Sequence, residues 1–149
     1  MNRGLSLAVQ YACDASGLPT RAQFRRWLKA ALRREANITL RVVGEREGRD
    51  LNNRYRGRDY ATNVLSFAYD EADSGPLSGD VVICAPVVER EAAMQHKQLL
   101  AHYAHLTVHA ALHLQGHEHE RETDAAGMEA LETAIMLKLG YPDPYLGQT

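Results

Sequence analysis

Cysteine is scarce in this chain of 149 residues: Cys13 and Cys84 stand far apart and form no C-x-x-C pair. That excludes a disulfide framework and a C-x-x-C metal pair, so both are read as reduced thiols. Long apolar runs are also missing. The N-terminal MNRGLSLAVQYACDASG has an apolar stretch too short to span a bilayer and no cleavage site after a long apolar core, so the expected location is the cytoplasm, with no membrane partner. Charge of one sign is lacking as well. Seventeen Lys and Arg face nineteen Asp and Glu, a formal charge of −2, which excludes a generally basic coat and leaves nucleic-acid binding to a local positive cluster. There is no repeat, no low-complexity tract and no linker longer than residues 73–78. With 45% hydrophobic residues the chain can bury a core unaided, and a single domain over residues 1–149 is expected.

What is present reads as a mixed α/β pattern. Leu5 to Tyr11 and Ile38 to Val43 are alternating or β-branched apolar runs bounded by turn formers, which predicts strands. Between them a helix is expected from the N-cap candidate Thr20 to Glu35. Phe24, Trp27, Leu28, Ala31 and Leu32 form its buried face, opposite Arg25, Arg26, Lys29, Arg33 and Arg34. A shorter helix from Glu45 to Arg56 ends at Gly57, followed by strands at Val64 to Tyr69 and Asp80 to Ala85. After Pro86 the pattern is helical to Leu139, with breaks at Gln95 to Gln98 and at Gly116. The expected fold is α/β (α+β), a four-stranded mixed sheet packed by about five helices.

The histidines are the anomaly. All seven fall between His96 and His119, and His102, His105, His109, His113 and His117 recur every three or four residues, one stripe on a helix. Histidines eight apart are separated by roughly 12 Å along a helix axis, too far for Zn–N bonds of about 2 Å to bridge. A metal therefore takes an adjacent pair plus a third ligand from chain that folds back. Gly116 supplies the fold-back, returning His117 or His119 toward His109 and His113. Leu106, Val108, Ala110, Ala111, Leu112 and Leu114 make the helix apolar almost all round, where unpaired imidazoles would be costly. Three imidazole ligands with no fourth protein ligand leave room for water, the catalytic pattern of zinc. Ala110 occupies the place of the general-base glutamate in H-E-x-x-H, which disfavours peptidase chemistry.

The segment HAALHLQGHEH, residues 109–119, resembles the H-G-x-L-H-L-x-G-Y-D-H signature of the YbeY family of bacterial endoribonucleases. Three further blocks agree in order: LNNRYRGRDYATNVLSFAY at 51–69, SGDVVIC at 78–84 and LGYPDPY at 139–145. The resemblance implies an α/β fold and one zinc ion per chain on His109, His113 and His119. It further implies cleavage of single-stranded RNA, with roles in 16S rRNA 3′-end maturation and ribosome quality control. Implied partners are rRNA, the ribosome, ribosomal protein S11 and the GTPase Era. The sequence departs from the family pattern at Ala110 for glycine, His117 for tyrosine, Glu118 for aspartate, and Ala61 and Ala68 for prolines. His117 alone bears on the site, since it is itself a possible ligand.

By the same resemblance Arg56, in the Tyr55-Arg56 pair, is the catalytic candidate. Its guanidinium can grip a phosphate bidentately and stabilise developing negative charge. Arg54 and Arg58 flank it on what is otherwise read as a solvated helix end. Asn63 and Ser66 are assigned turn bonding and strand filling, and the role of Glu118 and Glu120 is left undecided. Two other functions stay open at this point: a ribosome-assembly factor with a structural metal, and a metal hydrolase of another substrate.

Overall fold

The computed structural model describes residues 4–69, 75–116 and 122–146, with side chains omitted at 122–125. In chain order the elements are β1 (Leu5–Ala12), α1 (Arg21–Ala31), β2 (Ala36–Val43), α2 (Glu45–Arg56), β3 (Val64–Ala68) and β4 (Leu77–Cys84). They are followed by α3 (Ala85–Met94), α4 (Leu99–Leu114) and α5 (Glu122–Lys138). The strands form one sheet in the order β1-β2-β4-β3, parallel except for β3, which runs antiparallel to β4 along the edge. This is the expected mixed sheet with five helices.

Local chemistry sets most boundaries. Thr20 caps α1 through a reciprocal pair, its Oγ1 accepting from the Gln23 backbone N–H and Gln23 Oε1 accepting from the Thr20 N–H. That helix buries Phe24, Trp27, Leu28 and Ala31 and then stops four residues before the expected Glu35. The sheet claims the following residues: Leu32 turns extended, the Ala36 N–H donates to the Gly4 carbonyl, and the Leu77 N–H donates to the Glu35 carbonyl. β4 likewise begins at Leu77, ahead of the expected Asp80, because register pairs Leu77 with Ala36 and Gly79 with Ile38.

One face of the sheet, with Leu7, Ile38, Leu40, Val81 and Ile83, packs under α1 and α4 in the main core, which α5 joins by packing on α4. The other face carries a smaller cluster of Val43, Leu65, Val82, Cys84 and Val87. Helix α4 is central, burying Tyr103, Ala104, Thr107, Val108 and Ala111 completely. Two devices fix its C-terminal end. A Cβ added at Gly79 would lie 2.7 Å from the Phe67 carbonyl oxygen and 2.9 Å from Leu114 Cδ2, so only glycine lets the helix end close onto β3 and β4. Gln115 donates to the Ala31 carbonyl and accepts from the Arg33 N–H, tying the same end to α1. Among the described residues no helix is long and apolar enough to cross a membrane.

Candidate active site

The stripe expected on α4 is there, and its environment changes along its length. His102 and His105 are buried at 4% and 9% exposure, His109 is half-buried and His113 is exposed. Ring centroids of His109 and His113 lie 6.3 Å apart with planes 31° from parallel, one helical turn apart on one face. Both line a cavity of about 290 Å³ whose other walls are the edge strand, Val64–Phe67, and Arg56 at the end of α2. The two sequence-predicted groups separated by more than fifty positions, histidine pair and arginine, thus share one cleft. Among the described residues no ion pair engages Arg56, whereas Arg41, Arg49 and Arg90 are each clamped on Glu47, Asp59 and Glu45. An arginine that no described carboxylate clamps is suited to take an anion from outside the protein.

The far sides of the two imidazoles are occupied. His109 Nδ1 lies 2.9 Å from Glu132 Oε2, and His113 Nδ1 lies 3.3 Å from Ser66 Oγ. With the proton on Nδ1, each ring carries its lone pair on Nε2, the nitrogen a metal takes. The donor set therefore suits a cation that prefers imidazole nitrogen, zinc among them. Glu132 is 1% exposed and also accepts from His105 Nε2 at 2.6 Å and from the Tyr145 hydroxyl. Burial would raise its pKa, but the hydrogen bonds from His105, His109 and Tyr145 win and hold the carboxyl down at about 2. Tyr145 moves the other way, its hydroxyl pushed far up by burial and by the bond to Glu132.

The upper stripe has a separate anchor. His102 Nε2 lies 2.9 Å from Glu91 Oε1, and Asn63 Nδ2 donates to both oxygens of the same carboxylate. Burial opposes ionisation of Glu91, yet these bonds keep its pKa below the ordinary value. Asn63 is thus a loop fastener, in keeping with the bonding role read from the sequence. Ser66 goes beyond that role, since its hydroxyl sits on a candidate ligand. Glu132 and Tyr145 were not singled out by the sequence reading; Tyr145 stands in the LGYPDPY block, but nothing local marks Glu132. His117, Glu118, His119 and Glu120 lie outside the described residues, and among those described no group of three His, Cys, Asp or Glu residues is placed to hold a metal.

Fold and site together define an α/β protein with imidazole bases and a guanidinium in one cleft, suited to chemistry on an anionic substrate. The family model for endoribonuclease YbeY matches residues 13–140. A protein of Nitrosomonas europaea named endoribonuclease YbeY is 54% identical over 144 residues, covering 97% of this chain and 87% of that one. One from Aromatoleum aromaticum with the same name is 57% identical over 144 residues, covering 95% and 92%. The solution structure of TM1509 from Thermotoga maritima superposes with a TM-score of 0.53 at 20% identity, covering 95% of this chain and 99% of that one, a likeness of fold. The chain belongs to the endoribonuclease YbeY family, and the activity of that family is hydrolysis of internal RNA phosphodiester bonds.

Proposed function

We propose that the chain, acting as one domain over residues 1–149, is a zinc-dependent endoribonuclease that cuts single-stranded RNA. One metal ion per chain would be held by His109, His113 and His119. The observation that carries the reading is the cleft itself, where the His109/His113 pair faces Arg56 across the edge strand. When bound, such a metal supplies Lewis acidity and a water of lowered pKa. The protein's own groups do the rest. His109 and His113 present Nε2, fixed by Glu132 and Ser66. Arg56 holds the scissile or adjacent phosphate through two parallel N–H donors and stabilises the charge that builds on its oxygens in the transition state.

The family resemblance supports a cytoplasmic role in 16S rRNA 3′-end maturation and ribosome quality control, with the ribosome, its protein S11 and the GTPase Era as partners. A net charge of −2 accords with a substrate gripped locally and not drawn in by the overall field. The test is cleavage of matched single-stranded and duplex RNA by protein of known metal content, with and without chelator. The expected result is cutting of the single strand that chelation abolishes and zinc restores. Undiminished cutting after elemental analysis shows the metal gone would overturn the reading.

A further inference from the structure

We propose that Glu132 is a positioning residue for the His109 ligand, and that the tail from Asp143 to Tyr145 acts as the strut that holds its carboxylate in place. The role rests on the metal-dependent reading above and gives a task to the LGYPDPY block, which the cleft itself does not use.

A carboxylate with 1% exposure needs its acceptor sites filled by protein donors. Glu132 achieves this asymmetrically. Oε2 faces His109 Nδ1 at 2.9 Å, while Oε1 is shared by His105 Nε2 at 2.6 Å and the Tyr145 hydroxyl. The Oε1 donors hold the group still so that Oε2 can set the ring of His109. Tyr145 reaches its place through three ties. Its backbone N–H donates to Asp143 Oδ1 at 2.8 Å, Lys97 Nζ donates to the Pro144 carbonyl at 2.6 Å, and its ring meets His105 edge-on with centroids 5.2 Å apart.

The consequence for His109 is tautomeric. A neutral histidine side chain in water favours the proton on Nε2, which would remove the lone pair a metal requires there. An anionic acceptor on the Nδ1 side reverses that preference, fixes the ring orientation and makes Nε2 more basic. His113 Nδ1 meets a serine hydroxyl at 3.3 Å, so the tie from the tail through Glu132 runs to His109.

The test uses the full chain with ¹⁵N-labelled histidine, metal-free, at a pH above the imidazole range, alongside zinc affinity by competition with a chromophoric chelator. In the wild type His109 should carry its proton on Nδ1. Glu132→Gln should lose that preference and bind zinc roughly 10–100-fold more weakly. Tyr145→Phe keeps the ring against His105 and removes the hydroxyl. It should fold, as thermal unfolding will show, and should shift the His109 nitrogen signals in the same direction with a smaller loss of affinity. A proton on Nε2 of His109 in the wild type, or folded Glu132→Gln with wild-type zinc affinity, overturns the proposal. The nitrogen signals need neither metal nor RNA, so a wild type that binds no zinc would sink the metal reading while this inference was still decided.

Discussion

The two ends of the histidine stripe on α4 share residue type, spacing and helix face, and differ in which ring nitrogen meets a side-chain partner. At His102 and His105 the carboxylates of Glu91 and Glu132 meet Nε2, so the remaining nitrogen is Nδ1, buried and, among the described residues, without a hydrogen-bond partner in either ring. At His109 and His113 the contacts with Glu132 and Ser66 fall on Nδ1, at a cleft that also holds Arg56, and a proton held on Nδ1 puts the lone pair on Nε2. One pattern thus yields polar struts at one end and candidate ligands at the other. The lesson is that spacing nominates imidazoles for metal binding, while the partner on the opposite side of the ring is what sets them apart.

The sharpest way to break the comparison is at the residue facing the lower pair. Arg56→Ala should keep metal and fold yet lose roughly 10²–10³-fold in RNA cleavage, as on removing one preorganised donor. Arg56→Lys should recover part of that, because lysine restores charge without the two-donor fork. Single-turnover cleavage at saturating protein measures both; a wild-type rate for Arg56→Ala would remove its catalytic role. At the other end of the stripe, His102→Ala should act on stability. Loss of its bond to Glu91 should cost about 1–3 kcal/mol in urea unfolding, with bound metal unchanged.

Smaller effects sharpen the account. Glu132 has a folded pKa of about 2 against an ordinary 4.5, so the stability it contributes is present above about pH 4.5 and is lost as pH falls through about 2. In metal-free protein the stability gap between wild type and Glu132→Gln should therefore narrow across that window in pH-dependent urea unfolding. A gap that widened on acidification would have the wrong sign. Smallest of all, Ser66→Ala removes one long contact to His113 and should weaken zinc binding by less than about 10-fold.

Much of this was legible in the chain because local chemistry and tertiary demand agree. Helix α2 runs over Glu45–Arg56 as its Gly57 stop signal predicts, with Gly57 at φ 68°. Helix α4 ends at Leu114, just before Gly116, which stands at φ 92°. Where they disagree the sheet prevails: residues 32–35 have helical sequence but feed β2, whose pairing with β1 and β4 is worth more than one further helical turn. The candidate site was legible where its parts are clustered, as in the histidines, or carried by a family block, as in Arg56. Glu132 was not, because a lone glutamate on a helix has no periodic or compositional mark. The role proposed for it depends on α5 packing on α4, and on a tail that delivers Tyr145.

The most direct test of the difference between the two ends is the metal content of purified His102→Ala, His105→Ala, His109→Ala, His113→Ala, His117→Ala and His119→Ala, loaded with excess zinc and passed through the same desalting step. Close to one equivalent is expected in His102→Ala, His105→Ala and His117→Ala, and well below one in His109→Ala, His113→Ala and His119→Ala. Full metal in folded His109→Ala and His113→Ala, with loss in His102→Ala or His105→Ala, would contradict it.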